Sequence, residues 1–221
     1  HTRRGDEIIA EEGSHVVIYE VGASAVLSGV QLRTVRGTDG VMSADDVAAA
    51  VRSDNIHFPR TGLLCLENAL ANGSAVPLET VISLCRCAHE RNVPVHLDGA
   101  RVFNAAAALG CGAREIASET DSIMFCLSKG LSAPIGSMLA GDADFVERAR
   151  KNRKILGGGM RQAGVIAAAG IVALETMRGR LAEDHANAKL IASRLKDLPG
   201  VSVRERNLSI NMVFFALEHS A

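Results

Sequence analysis

The sequence predicts an α/β fold built on a mostly parallel, doubly wound sheet. Apolar runs of strand length alternate with stretches whose apolar residues recur at helical spacing, which is typical of a parallel sheet covered by helices. Two of these runs deliver Asp98 and Lys129 to strand ends, and the 31 positions between these residues leave room for a crossover helix. With 221 residues, 48% of them hydrophobic, the chain is long enough to bury a sizeable core.

The predicted elements of the N-terminal half begin with strands at 7–10 and 31–35, separated by a helix at 19–28. Ser43 and Asp46 have the spacing of a capping box, which predicts a helix from there to about Val51. Residues 62–67 form a continuous apolar run, which is typical of a buried strand, and residues 78–91 show the spacing of an amphipathic helix.

The C-terminal half continues with apolar runs at 93–97 and 122–127, each predicted to be a buried strand. A basic helix is predicted at 145–154, an alanine-rich helix at 162–180, and a long helix at 183–195 with Leu190, Ile191 and Leu195 on one face. The final apolar run, 212–217, is predicted to be a strand separated from its partners. We therefore expect a large domain over 1–180 and, over 181–221, a bridging helix and the start of a small domain.

Composition argues against several functional classes. The net charge is −1 and only seven residues are aromatic, so neither nucleic-acid binding nor attraction to an anionic membrane is expected. The apolar stretches are too short to span a bilayer. Five cysteines in mostly apolar surroundings indicate a reducing, cytoplasmic compartment, and Cys85 and Cys87 have the wrong spacing for a metal pair. We expect no metal.

Asp98 and Lys129 together indicate pyridoxal 5'-phosphate (PLP) chemistry. In such sites a lysine forms a Schiff base with the cofactor, and a carboxylate keeps the pyridine nitrogen protonated. Lys129 follows an apolar run, so we expect it out of water, where the neutral and nucleophilic amine is favoured. Two plainer roles remain open: Asp98 as the N-cap of the next helix, and Lys129 as a solvated lysine at a strand end.

Three motifs carry a family resemblance: HLDGAR at 96–101, FCLSKGLSAPIGS at 125–137 and KILGGGMRQAG at 154–164. In this order they resemble the low-specificity threonine aldolases, which are PLP enzymes of fold type I (aspartate-aminotransferase-like). The resemblance covers nearly the whole chain. It implies a fold type I large domain without its N-terminal part, the beginning of a C-terminal α+β domain, and PLP bound on Lys129. It also implies cleavage of L-threonine or L-allo-threonine to glycine and acetaldehyde.

The same resemblance implies roles for other residues. Arg101 would approach the phenolic oxygen of the cofactor. For Ser128 two roles stay open: a hydrogen bond to the cofactor phosphate, or a cap of the turn. His15 would stack on the cofactor ring and handle the proton of the substrate hydroxyl, a task that suits imidazole near pH 7. Tyr19 lies one helical turn from His15 and would shape the same pocket.

Lys154 and Arg161 flank three consecutive glycines. By resemblance, both approach the active site of an adjacent subunit, with Arg161 near the phosphate, so the protein would be a dimer or a dimer of dimers with shared sites. The plainer interpretation is a flexible loop with two solvated cations.

One position departs from the family pattern. The chain has Leu70 in the run Glu67-Asn68-Ala69-Leu70-Ala71, where the family commonly has a histidine. Leucine cannot form a hydrogen bond with a substrate hydroxyl. Two alternatives therefore stay open: a PLP-dependent racemase or β-eliminating lyase acting on a small amino acid, and a catalytically inert homologue.

Overall fold

The computed structural model describes residues 1–218 of the chain. The first ten strands and α-helices within this range are β1 Glu7–Glu11, α1 His15–Ile18, β2 Gln31–Val35, α2 Ala44–Ala50, β3 Thr61–Glu67, α3 Leu78–His89, β4 Val95–Asp98, α4 Val102–Leu109, α5 Ala113–Ile116 and β5 Ser122–Cys126. The remaining strands and α-helices are β6 Ser137–Gly141, α6 Ala143–Ile155, α7 Gly164–Val172, α8 Leu181–Lys196, β7 Val201–Val203 and β8 Phe215–Leu217.

Six strands form one sheet in the order β2-β1-β3-β4-β5-β6. All neighbouring pairs are parallel except β5 and β6, which are antiparallel. The predicted mostly parallel α/β sheet is therefore confirmed. Strand β6 was not predicted, because its five residues are all exposed at the edge of the sheet and carry no clear alternation of apolar and polar side chains.

The order of the strands places a topological switch point between β1 and β3. From β1 the chain moves outward to β2, whereas from β3 it moves in the opposite direction to β4 and β5. Ligands of open α/β sheets bind in the crevice at the carboxyl ends of the strands beside such a point. Here Glu11 and Glu67 end the two strands that flank it.

The two faces of the sheet differ. Ile9, Leu64 and Leu97 are fully buried and belong to the main hydrophobic core, which includes residues of α2, α3, α4 and α5. On the opposite face the described residues form only a small cluster of Ile8, Val30 and Leu63. Because side chains alternate along a strand, Asp98 has the orientation of that opposite face, away from Leu97.

Several predicted elements need correction. The helix expected at 19–28 is wrong: α1 ends at Ile18, and Val21 and Gly22 both have positive φ, which interrupts the helix before a short π-helical turn at Ser24–Ser28. The helix expected at 162–180 is three successive segments, namely α7, a π-helical turn and a 3₁₀ turn. The single crossover helix between β4 and β5 is two helices, because Gly110 adopts a left-handed conformation that ends α4.

The C-terminal region also differs from expectation. The run at 212–217 is not a strand without partners, since β8 pairs with β7 in an antiparallel hairpin. Helix α8 packs against both α4 and β7, as expected of a bridging helix. Its buried face, however, consists of Leu181, His185, Ala188 and Ala192, whereas Leu190 and Ile191 are exposed.

Candidate active site

A cavity of about 830 Å³ lies on the less covered face of the sheet. Its wall includes residues from the carboxyl ends of β3 and β4, from α1, and from the end of α6. Among them are His15, Glu67, His96, Asp98, Asn152 and Leu156. The cavity thus lies beside the switch point. It is large enough for a cofactor with a bound amino acid.

Asp98 ends β4, and its backbone lies opposite Glu67 of β3 and Met124 of β5. Its Oδ1 accepts a hydrogen bond from the backbone N–H of Ala100 at 3.0 Å. Helix α4 begins only at Val102, with Arg101 at the N-cap position, so Asp98 is not the N-cap of that helix. The carboxylate is instead held at the strand end, on the cavity wall.

Glu67 is a site residue that the sequence analysis did not identify. One carboxylate oxygen accepts from the backbone N–H of His15 at 2.9 Å, and the other accepts from the backbone N–H of Ala71 at 2.6 Å. Burial, with a smaller contribution from the charge of Asp98, raises the pKa of Glu67. Glu67 therefore joins the segment that carries His15 to the loop that carries Leu70.

His15 begins α1 and lines the same cavity as Asp98. Its Nδ1 lies 2.8 Å from a carboxylate oxygen of Glu20, which fixes the orientation of the ring. The rings of His15 and Tyr19 lie 5.1 Å apart between centroids, as the predicted spacing of one helical turn requires. Tyr19 is exposed and does not belong to the described lining of this cavity.

His96 and Ser122 form a second polar group on the cavity face. Ser122 is buried, and its Oγ lies 2.7 Å from His96 Nδ1 and 2.7 Å from His1 Nε2. Burial lowers the pKa of His96 and so favours the neutral ring. Cys65, the β3 neighbour of His96, has its pKa raised to about 12 by burial and by Asp98, so it remains a thiol and is a poor nucleophile.

A second cavity, of about 380 Å³, adjoins the first. The two share Ser14, Cys65, Leu66 and Glu67 as lining residues. Leu70 contributes to the wall of the smaller cavity and is only 7% exposed. The Ser14 Oγ is buried and has no hydrogen-bond partner among the described residues, so a ligand oxygen placed there would satisfy it.

Lys129 does not have the environment that the sequence predicted. It lies three residues beyond β5 and is exposed, so the expectation that it is out of water is wrong. The reason is that Leu127, Leu131 and Ala133 take the buried positions of this turn, so Lys129, which lies between the two leucines, is exposed to solvent. Ser128 is also exposed, and neither Lys129, Ser128 nor Arg101 is among the described lining residues of the larger cavity.

Lys154 and Arg161 are both exposed. The Lys154 side chain folds over Gly159, where an added Cβ would lie 2.5 Å from Lys154 Nζ. Ile155 and Leu156 of the same segment line the larger cavity, although Ile155 is 80% exposed overall. The structure thus places this segment at the mouth of the cavity of its own chain and also leaves it open to solvent.

The described residues 1–218 contain no group of three or more His, Cys, Asp or Glu side chains arranged to hold a metal ion. Over the same range, no helix combines the length and apolar character needed to cross a membrane. All five cysteines are free.

A mostly parallel sheet with an acidic strand end at its switch point defines a ligand-binding α/β protein of the doubly wound type. Comparison with known proteins identifies the family. The profile of the beta-eliminating lyases matches residues 1–218, and the chain belongs to that family. The low specificity L-threonine aldolase of Escherichia coli K12 is 42% identical over 222 residues, covering 100% of this chain and 66% of its own length.

Two further relatives agree. The low-specificity L-threonine aldolase 1 of Arabidopsis thaliana is 40% identical over 220 residues, covering 97% of this chain and 62% of its own length. The structure of the Leishmania major threonine aldolase superposes with a TM-score of 0.83, covering 97% of this chain and 63% of that one; at 20% identity it shows the fold alone. The chain therefore spans just under two thirds of the length of these relatives.

Proposed function

We propose that the protein is a PLP-dependent aldehyde-lyase that cleaves L-threonine or L-allo-threonine to glycine and acetaldehyde. The observation that carries the proposal is the carboxylate of Asp98 on the wall of the cavity at the switch point, facing the same space as His15. The identity of 42% with an aldolase across the whole chain supports the choice of reaction.

On the cavity wall, Asp98 fits the pyridine ring of the cofactor, whereas Arg101, Ser128 and Lys129 lie outside the described lining of the cavity. Asp98 would hold the protonated pyridine nitrogen, because a carboxylate in a partly desolvated site favours the charged ring. Arg101 would approach the phenolic oxygen, Ser128 and Arg161 would bind the phosphate, and Lys129 would form the Schiff base. When bound, PLP supplies the electron sink that accepts the electron pair of the broken Cα–Cβ bond.

His15 is the proposed base. It would take the proton from the β-hydroxyl of the substrate as the Cα–Cβ bond breaks, which releases the aldehyde, and Cα is then reprotonated to give glycine. The contact with Glu20 engages Nδ1 and so assigns proton transfer to Nε2. The Tyr19 ring lies beside the His15 ring and would shape the same pocket.

An oligomer with shared sites completes the proposal. Large apolar side chains are exposed around the segment with Lys154 and Arg161: Ile155, Leu156, Met160 and Val165. Exposed apolar surface of this kind supports burial against a second copy of the chain. In that assembly, a dimer or a dimer of dimers, Lys154 and Arg161 would serve the neighbouring site, in a cytoplasmic enzyme whose residues 1–180 form the large domain and 181–221 the start of the small one.

Leu70 favours a second candidate, a PLP-dependent racemase or β-eliminating lyase on a small amino acid. The buried leucine lines the cavity that adjoins Glu67, where it offers no hydrogen bond to a substrate hydroxyl. Such an enzyme would use the same Asp98 and Lys129 but would break the Cα–H bond.

Product analysis separates these reactions. The purified full-length protein is first examined for a visible absorbance band that borohydride removes, which tests for a Schiff base. It is then incubated with L-threonine, L-allo-threonine and L-alanine. Glycine and acetaldehyde in equal amounts from the β-hydroxy substrates support the proposal. Racemised alanine without aldehyde release, or ammonia with a keto acid, would replace it with the second candidate.

A further inference from the structure

Behind the turn of Lys129 lies a buried polar group that the proposed reaction does not use. Asn104, on α4, is 2% exposed, and its Nδ2 lies 3.1 Å from His185 Nε2 and 3.2 Å from Asn211 Oδ1. One amide NH₂ group thus faces two acceptors, which uses both of its protons. We call these three residues the Asn104 node.

The node joins parts of the chain that are distant in sequence. Asn104 lies on the helix that follows Asp98, and Val102 at the start of that helix donates its backbone N–H to Gly99. His185 belongs to α8, and Asn211 lies between β7 and β8. The node therefore fastens the C-terminal elements to the segment that continues directly from the Asp98 strand end.

The node also touches the turn of Lys129. A Cβ added to Gly130 would lie 2.8 Å from Asn104 Oδ1 and 3.0 Å from Leu181 Cδ2, so the backbone of Gly130 rests directly on both side chains. Leu181 and His185 lie one helical turn apart on the buried face of α8. Because Gly130 is the residue next to Lys129, any movement of the Asn104 amide or of α8 displaces the origin of the Lys129 side chain.

Backbone hydrogen bonds and apolar packing also hold the turn. Ser132 donates its backbone N–H to Lys129 at 2.9 Å, and Ala133 donates to Leu127 at 3.0 Å. Leu127, Leu131 and Leu181 form one hydrophobic cluster beneath it. Of the three atoms that would lie nearest to a Cβ on Gly130, two belong to the amide of Asn104 and one to Leu181.

We propose that the Asn104 node is a positioning device for Lys129, which sets the reach of its amine toward the carbonyl of the cofactor. The inference rests on the proposed function, because it assigns Lys129 the bond to PLP. Asn104 acts through Gly130 and does not touch the cofactor. His185 must accept a hydrogen bond in the node, and burial lowers the pKa of His185, which favours the neutral ring that can accept.

The test compares two cofactor forms on the full-length protein. PLP can bond to lysine, whereas pyridoxamine 5'-phosphate carries an amine in place of the aldehyde and cannot. The ratio of their dissociation constants therefore reports lysine engagement, while the second constant alone reports the integrity of the rest of the site. Both are measured by equilibrium titration of the apoprotein, without any substrate.

Four variants are compared with the wild type. Asn104→Asp removes both donors, His185→Ala removes one acceptor, and His185→Gln restores a neutral acceptor. Asn187→Asp makes the same chemical change on the exposed side of α8 and serves as the control. We expect the preference for PLP to fall about 10- to 100-fold in Asn104→Asp, because a small displacement of a reacting group has effects of this size. His185→Ala should show a smaller fall, His185→Gln a recovery, and Asn187→Asp no change.

An unchanged preference for PLP in Asn104→Asp or His185→Ala would overturn the positioning role of the node. Equal weakening of the binding of both ligands would also overturn it, because it indicates a general loss of structure. If Asn104→Asp does not fold, the His185 pair decides by the same criterion. A wild type with no preference for PLP, or a Lys129→Ala protein that keeps it, would instead overturn the proposed Schiff base, so the two failures are distinguishable.

Discussion

The carboxyl ends of the strands and the segment at 154–164 both carry predicted site residues, but the two regions differ in burial and in hydrogen bonding. At the carboxyl ends of the strands, Asp98 and Glu67 accept hydrogen bonds from backbone N–H groups, and both lie on strands that are paired on both sides. In the segment, Lys154 and Arg161 are exposed among exposed apolar side chains. The acidic residues of the proposed site are thus held by hydrogen bonds within the chain, whereas its basic residues lie on an exposed surface, which is the arrangement that the proposed shared sites require.

Lys129 tests whether the exposed residues belong to the site at all, and it should give the largest effect. Lys129→Ala should abolish the borohydride-sensitive absorbance and lower turnover by several orders of magnitude, because the amine that bonds to the cofactor is gone. Lys151→Ala, a change of the same type on exposed α6, is the control. Persistence of the band in Lys129→Ala would move the Schiff base to another lysine.

Asp98 tests the acidic residues of the proposed site. Asp98→Asn should retain bound PLP and lose most activity, since a neutral amide accepts a hydrogen bond but cannot stabilise a pyridinium charge. Cofactor content from absorbance and initial rates measured on the same sample check this. Near-normal turnover would show that another group faces the ring nitrogen.

Mixing of two inactive variants tests whether Arg161 serves the site of a neighbouring chain. If Arg161 serves the neighbouring site, Lys129→Ala and Arg161→Ala chains should regain activity after subunit exchange. About half of randomly paired dimers are mixed and each has one intact site, so the ceiling is roughly a quarter of wild-type activity. Exchange is verified with differently tagged chains. Mixed dimers without activity would assign Arg161 to its own chain, consistent with Ile155 and Leu156 on the wall of that cavity.

Glu67 gives the smallest effect and sharpens the description of the acidic residues of the proposed site. Its pKa is raised in the folded chain, so its contribution to stability is present below the ordinary glutamate pKa and is lost as the pH rises through the folded value. Glu67→Gln should remove this dependence, so the free energy of unfolding should change less as the pH rises above the ordinary glutamate pKa. Urea unfolding over a pH series that begins below that value measures it, with Glu175→Gln as the exposed control. Parallel curves for Glu67→Gln and wild type would contradict it.

Much of the fold could be predicted because its signals are local. Strand β2 was confirmed at the residues predicted, and Ser43 accepts a hydrogen bond from the backbone N–H of Asp46 at 3.1 Å, as its capping role requires. The end of β4 at Asp98 followed from an apolar run that stops at an acid. Such patterns depend only on near neighbours.

The remainder depends on contacts that no local pattern encodes. Glu67 matters because its carboxylate reaches the backbone of His15, 52 positions away. The expected burial of Lys129 failed because the apolar run continues past the end of β5, into Leu127, where the chain has already turned. Likewise, the buried face of α8 follows from its packing on α4, which leaves the apolar residues Leu190 and Ile191 exposed.

The unequal coverage of the two sheet faces has a consequence for tolerance to mutation. Along β3, Leu64 and Leu66 belong to the packed core, although Leu66 also reaches the wall of both cavities, whereas Cys65 and Glu67 line the cavities without belonging to that core. In saturation mutagenesis with two reporters, one for protein abundance and one for cofactor binding, the effects of substitutions should therefore alternate with a period of two residues along this strand. Substitutions at the positions that face the core would lower protein abundance, and substitutions at the positions that face the cavity would lower cofactor binding. Neighbouring residues of one strand would thus be selected for different properties.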